Sequence, residues 1–217
     1  MLLAWSALWS TAELASLRPR IEVAAWYAAG WQASVPGATD ARRRIDFSIK
    51  LNPIDPAYHL ALGRLYEWQA RGQAFDAGLA QNMLDKAAAS LRRAVQLRPT
   101  WGEAWVTLAL VKAYQGETDQ EAVTALKNAL TFSPWESRTL EDSTIAGMLL
   151  WPALNDEVRH QFRQAVDRVF ALGRGRFVVD AAIRYGWVSE VQMHIPAAHE
   201  LRRYLNERLK KPGNGRF

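Results

Sequence analysis

Apolar residues recur along the chain in steps of three and four, in runs of about one helix length, separated by proline and small polar groups. No stretch sustains the strict alternation that a half-buried strand requires, so the pattern predicts an all-α protein. Helix starts are expected where a hydroxyl residue precedes a glutamate by three positions, at Thr100 to Glu103, Thr118 to Glu121 and Ser133 to Glu136. In each, the hydroxyl would accept from the first free backbone donors while the carboxylate reaches back. Asp55-Pro56 predicts a further start, because proline lacks the N–H that a first helical turn leaves unpaired anyway.

Three segments share one spacing: Ala41, Ile45, Ser48 and Pro53; Ala87, Leu91, Ala94 and Pro99; Ala122, Leu126, Ala129 and Pro134. Small residues on either side of a large apolar one let two helices approach closely, and the proline ends the unit. The spacing resembles the second helix of a tetratricopeptide repeat (TPR). Leu62-Gly63-x-x-Tyr66 and Trp105-x-x-Leu108-Ala109 resemble parts of the first-helix pattern of the same repeat. The resemblance implies a TPR-like solenoid of stacked antiparallel helix pairs over residues 20–154. Between Tyr66 and Ala87 the spacing is longer than the consensus, centred on QAFDAGLAQNMLD. These residues are expected either to lengthen the second helix or to form an extra short one broken at Gly72 and Gly78.

Beyond Pro134 the repeat blurs while helical periodicity persists through Asn155–Leu172 and a last helix, Pro196 to Lys211, with Leu201, Tyr204, Leu205 and Leu209 on one face. A helical stack exposes an apolar end, so residues 155–211 are expected to form an atypical C-terminal helical cap and 212–217 a disordered tail. At the other end, residues 1–19 form a hydrophobic N-terminal segment interrupted by Glu13. It lacks both the length of a full span and the basic start of a secretory signal. Two readings stand: a buried first helix, or the distal half of a membrane anchor that begins upstream.

Composition narrows the function. The absence of cysteine removes disulfides, thiolate metal sites and thiol nucleophiles. His59, His160, His194 and His199 show no helical ligand spacing, so no metal is expected. Neither phosphate-cradling glycine pattern is present, and no cofactor is expected. The adjacent acids Glu141-Asp142 and Asp156-Glu157 read as helix-start residues rather than as catalytic pairs, and the chain is expected to be no enzyme. Arg42-Arg43-Arg44 and Arg202-Arg203 come without any nucleic-acid-binding signature, so nucleic acid is not an expected partner. Residues 159–217 carry 12 Lys plus Arg against 5 Asp plus Glu, a surplus of +7 over −2 for the rest. Such an end favours an acidic partner, an acidic polymer or an anionic membrane surface, with a solvated surface as the plain alternative.

In a TPR the first helices line a concave groove that holds a peptide or a partner's helix. The resemblance places Arg64, Trp68 and Arg71, with Glu103, Thr107, Leu110 and Tyr114, near that surface; Trp68 and Tyr114 can equally be packing between repeats. Beyond the generic repeat, the hydrophobic start, LGRLYEW (62–68), LRPTWGEAW (97–105), FSPWESR (132–138) and LWPAL (150–154) before Arg159 resemble the small TPR proteins of bacterial exopolysaccharide machinery, of the VpsP/EpsP type. That resemblance implies a non-catalytic scaffold or accessory protein, bound to a polysaccharide synthase, polymerase or export component. It further implies association with the bacterial inner membrane, with the periplasmic face favoured, although the N-terminal segment is shorter than the anchor such proteins carry. The alternatives are a general interaction or assembly-chaperone module, cytoplasmic and soluble, and a direct binder of an acidic polysaccharide.

Overall fold

The computed structural model describes residues 2–29, 35–72, 76–195 and 199–210. They fold into eleven α-helices without a strand: α1 (Leu2–Ala29), α2 (Val35–Leu51), α3 (Pro56–Arg71), α4 (Ala77–Leu97), α5 (Gly102–Tyr114), α6 (Gln120–Phe132), α7 (Ser137–Leu150), α8 (Asp156–Ala171), α9 (Gly175–Tyr185), α10 (Val188–His194) and α11 (Glu200–Lys210), with a short 3-10 turn at Trp151–Ala153. The helices pack as sequential antiparallel pairs, and the chain divides into two compact units, α1 to α4 and α5 to α11.

The repeated small-large-small positions form the seams of these pairs. All nine of them, from Ala41, Ile45 and Ser48 through Ala87, Leu91 and Ala94 to Ala122, Leu126 and Ala129, have no solvent exposure. Each seam helix, α2, α4 and α6, ends two residues ahead of its proline. The pyrrolidine ring cannot donate and disfavours helical geometry in the residue before it. Ser48 takes the place of alanine in the first triplet because its hydroxyl donates to the Ala12 carbonyl of α1 at 2.9 Å.

The expected longer spacing before Ala87 lengthens α4. This helix begins at Ala77, where Asp76 caps it by accepting from the Leu79 amide, and runs for 21 residues against 13 in α6. Its first two turns, 77–83, bury no side chain, and the buried face starts at Leu84. Gly72 terminates α3 and Gly78 lies inside α4, so among the described residues no separate short helix forms there. Residues 73–75 of the insertion lie outside the described residues, as do 196–198 of the expected last helix, Lys211 and the expected tail.

Helix starts correct the sequence expectation in three places. None of Thr100, Thr118 and Ser133 is the N-cap of a helix, and Ser133 instead ends α6, its backbone N–H donating to the Ala129 carbonyl. Trp101 and Glu136 stand at the starts of α5 and α7 without side-chain caps, and Asp119, next to Thr118, accepts from Ala122 N at 3.0 Å at the start of α6. A carboxylate one residue nearer the helix out-competes the hydroxyl as an acceptor. Asp55 caps α3 as expected, accepting from Ala57 N at 2.8 Å ahead of Pro56.

The hydrophobic N-terminal segment is part of α1, which packs on α2 and α3. One narrow face is buried, through Ala12, Ser16, Pro19 and Val23. Tyr58 of α3 reaches this helix and donates to Glu13 Oε2 at 3.0 Å; burial pushes its pKa up to about 12. Among the described residues no helix is long and apolar enough to cross a membrane. In the second unit α7 is central, touching α5, α6, α8 and α9, and α11 docks on α9. Tyr204 and Arg208 of α11 both donate to Asp180 of α9, and Leu205 is fully buried.

Candidate functional site: the first-helix faces and an aromatic pocket

On α3, steps of three and four place Arg64, Glu67, Trp68 and Arg71 on neighbouring parts of the helix surface. Glu67 has no solvent exposure and takes the Arg71 guanidinium as its partner, and the Arg71 side chain remains 42% exposed. Arg64 is buried as well. Trp68 lies against Trp26 of α1, with ring centroids 5.6 Å apart and planes tilted by 32°. Its indole therefore joins two helices within the first unit, and its N–H finds no hydrogen-bond acceptor among the described residues.

The remaining expected groove residues lie on α5, in the second unit. Thr107 and Leu110 are fully buried, and the Thr107 hydroxyl donates to the Glu103 carbonyl one turn back at 2.8 Å. Glu103 and Tyr114 are half-buried. Near Tyr114 the helix ends in a charge cluster: Lys112, 2% exposed, holds Asp119 at 2.8 Å and Glu121 at 3.2 Å, and also pairs with Glu117. Burial opposes the ammonium charge, yet the three carboxylates together raise its pKa, and Lys112 in turn lowers that of Asp119. The cluster staples the turn between α5 and α6.

The acid pairs, and two arginines of the first basic run, are engaged within the fold. Asp156 and Glu157 stand in the first turn of α8 as expected. Glu141 and Asp142 instead lie inside α7, each held by an arginine: Arg138 reaches Asp142 at 3.3 Å, and Arg174 of the α8–α9 turn pairs with Glu141, whose pKa burial raises. On α2, Arg43 and Arg44 share Asp40 at 2.5 and 2.7 Å and hold its carboxyl below the usual range.

The sequence reading missed a cavity in the second unit. It measures about 310 Å³ and is lined by Met148, Trp151, Phe162, Arg163, Trp187 and Met193 among others. Three rings form its wall. Trp151 and Trp187 meet edge to face at 4.9 Å and 90°, and Phe162 lies 5.9 and 5.5 Å from them. The Trp187 indole donates to the Met148 carbonyl at 3.2 Å, which fixes its orientation. Arg159 and Arg163 lie over the Trp151 ring at 4.8 and 5.3 Å. Gly147 makes room for Phe162: a Cβ there would stand 2.1 Å from the ring. Such a cavity suits an apolar group of modest size, with Arg163 and Glu190 as the charged side chains of its lining. Its only sequence trace was the LWPAL segment, since its rings come from residues far apart in the chain. Among the described residues no three His, Asp or Glu side chains gather as metal ligands. Neither a protein-family model nor a curated protein matches this sequence.

Proposed function

We propose that this chain is a non-catalytic TPR-like scaffold that binds a partner protein in bacterial envelope polysaccharide assembly. The observation that supports the scaffold reading is the threefold repeated seam, nine positions of identical spacing with no exposure, each closing an antiparallel helix pair. Repeated pairs of this kind stack into interaction surfaces, and their first helices present the polar and aromatic groups. The placing in polysaccharide assembly rests on the resemblance of LGRLYEW, LRPTWGEAW, FSPWESR and LWPAL to the VpsP/EpsP type. The partner in this reading is a synthase, polymerase or export component, and the chain reaches the inner membrane through it.

The test is site-specific photo-cross-linking in cells, with the cross-linker at Arg71 and at Tyr114, both of which retain solvent exposure. Capture of a polysaccharide synthase, polymerase or exporter at these sites supports the reading. Capture only of proteins outside that machinery makes the chain a general interaction module, and capture solely at control positions such as Trp135 removes the first-helix faces from partner binding.

A further inference from the structure

The face of α1 opposite its buried seam is apolar and, among the described residues, uncovered. The buried residues Ala12, Ser16, Pro19 and Val23 follow one three-four stripe. Ala7, Ser10, Leu14, Leu17, Ile21 and Ala24 follow another, roughly half a turn away. In the full chain Leu14 is 74% exposed, Leu17 47% and Ile21 62%. Three large aliphatic side chains in consecutive turns form a seam of coiled-coil spacing that no helix among the described residues covers.

The charges beside this stripe indicate what covers it. Glu13 and Arg20 flank it on one side and pair with each other; Arg18 and Glu22 flank it on the other and pair at 2.7 Å. Each flank is neutral overall. A helix that lies on an anionic membrane carries cations along both flanks, whereas mixed-sign flanks suit a second surface of the same kind. We infer that the stripe docks on α1 of a second copy of this chain, antiparallel, in a two-fold symmetric dimer. With Leu14 level with Leu17 of the second copy, Ser10 meets Ile21 and Ala7 meets Ala24. Glu13 then lies beside Arg20 of the second copy, and Arg20 beside its Glu13. Sliding the helices by one heptad opposes like charges, Glu13 to Glu13 in one direction and Arg20 to Arg20 in the other, so the charge pattern selects a single register. A parallel pair would set Glu13 beside Arg18 of the second copy but leave Arg20 opposite Ala25, and it sets the helix dipoles side by side. The two-fold uses one patch twice, as closed dimers do. The dimer is independent of the partner-binding reading.

Light scattering on the eluting 217-residue chain tests it, with a mass twice 24.5 kDa expected. Leu17→Glu places two carboxylates at the centre of the seam and should raise the dimer Kd by on the order of 100-fold, with an unchanged far-UV helical signal. The chain has no cysteine, so introduced thiols report the register cleanly. Ala7→Cys with Ala24→Cys should cross-link on oxidation, and Ala24→Cys alone should not. A wild-type monomer at tens of micromolar, or a dimer that survives Leu17→Glu, overturns the proposal. So does a wild-type monomer that floats with phosphatidylethanolamine–phosphatidylglycerol vesicles and loses that binding in Leu17→Glu, which would make the stripe a membrane face. Cross-linking through Ala24→Cys alone overturns the antiparallel register.

Discussion

Replacing Gly63 by alanine probes the seam that defines the helix pair α3 and α4. Gly63 is buried in the middle of α3, and an added Cβ would stand 2.6 Å from Cγ and 2.8 Å from Cδ2 of Leu91, the large member of the α4 triplet. Carbon atoms prefer separations of about 3.5 to 4.0 Å, so Leu91 must retreat by roughly 1 Å. Leu91 has no solvent exposure, so the shift must be taken up inside the core. Overpacking of this kind costs about 1 to 3 kcal/mol, and alanine's better helix propensity offsets about 1 kcal/mol of it. The expected net loss is about 1 kcal/mol, or a Tm lower by roughly 2 to 4 °C for a chain of this size. The decisive measurement is a double-mutant cycle by urea unfolding followed by far-UV circular dichroism. Leu91→Ala alone should cost about 2 to 5 kcal/mol. In that background the clash is gone and the new methyl partly fills the cavity, so Gly63→Ala should stabilise by about 1 kcal/mol. The same substitution thus changes sign with its neighbour. An equal effect in both backgrounds would refute the pairing of Gly63 with Leu91 as the cause of the glycine.

His59 is buried with Nε2 3.1 Å from the Pro53 carbonyl oxygen, and burial lowers its pKa, with Arg93 lowering it further. The unfolded chain therefore binds this proton more readily, so stability should be intact above about pH 6.5 and fall below it; His59→Gln should flatten that part of a Tm-against-pH curve. Lys112→Met should remove the staple of Glu117, Asp119 and Glu121 and lower stability by about 1 to 2 kcal/mol in urea unfolding, less than for a fully buried pair because its partners are 35 to 52% exposed. Gly147→Ala should drive Phe162 out of the aromatic wall, cost about 1 to 3 kcal/mol and alter the near-UV aromatic signal; an unchanged near-UV spectrum would contradict the packing described.

Periodicity, the repeated triplets and the prolines determined the helices and the seams of α2, α4 and α6, because these features depend on spacing within one helix and on the small volume of alanine at a crossing. The Asp55-Pro56 start was legible for the same reason: a cap and its donor lie within one turn. Where two acceptors compete, as at Thr118 and Asp119, the local pattern named the wrong one, since only the completed helix shows which amides remain unpaired. The candidate sites were decided by tertiary structure. Arg64 to Arg71 could be assigned to one helix surface from spacing, but the contact of Trp68 with Trp26 depends on where α1 packs. The pocket of Trp151, Phe162 and Trp187 likewise exists only because α7, the 3-10 turn, α8 and α10 all line it, with Gly147 leaving room for Phe162. The α1 stripe divides along the same line. Its spacing is in the sequence, yet a helix apolar on several sides cannot by itself show which side the protein will cover. The packing of α2 and α3 made that choice and left Leu14, Leu17 and Ile21 facing outward.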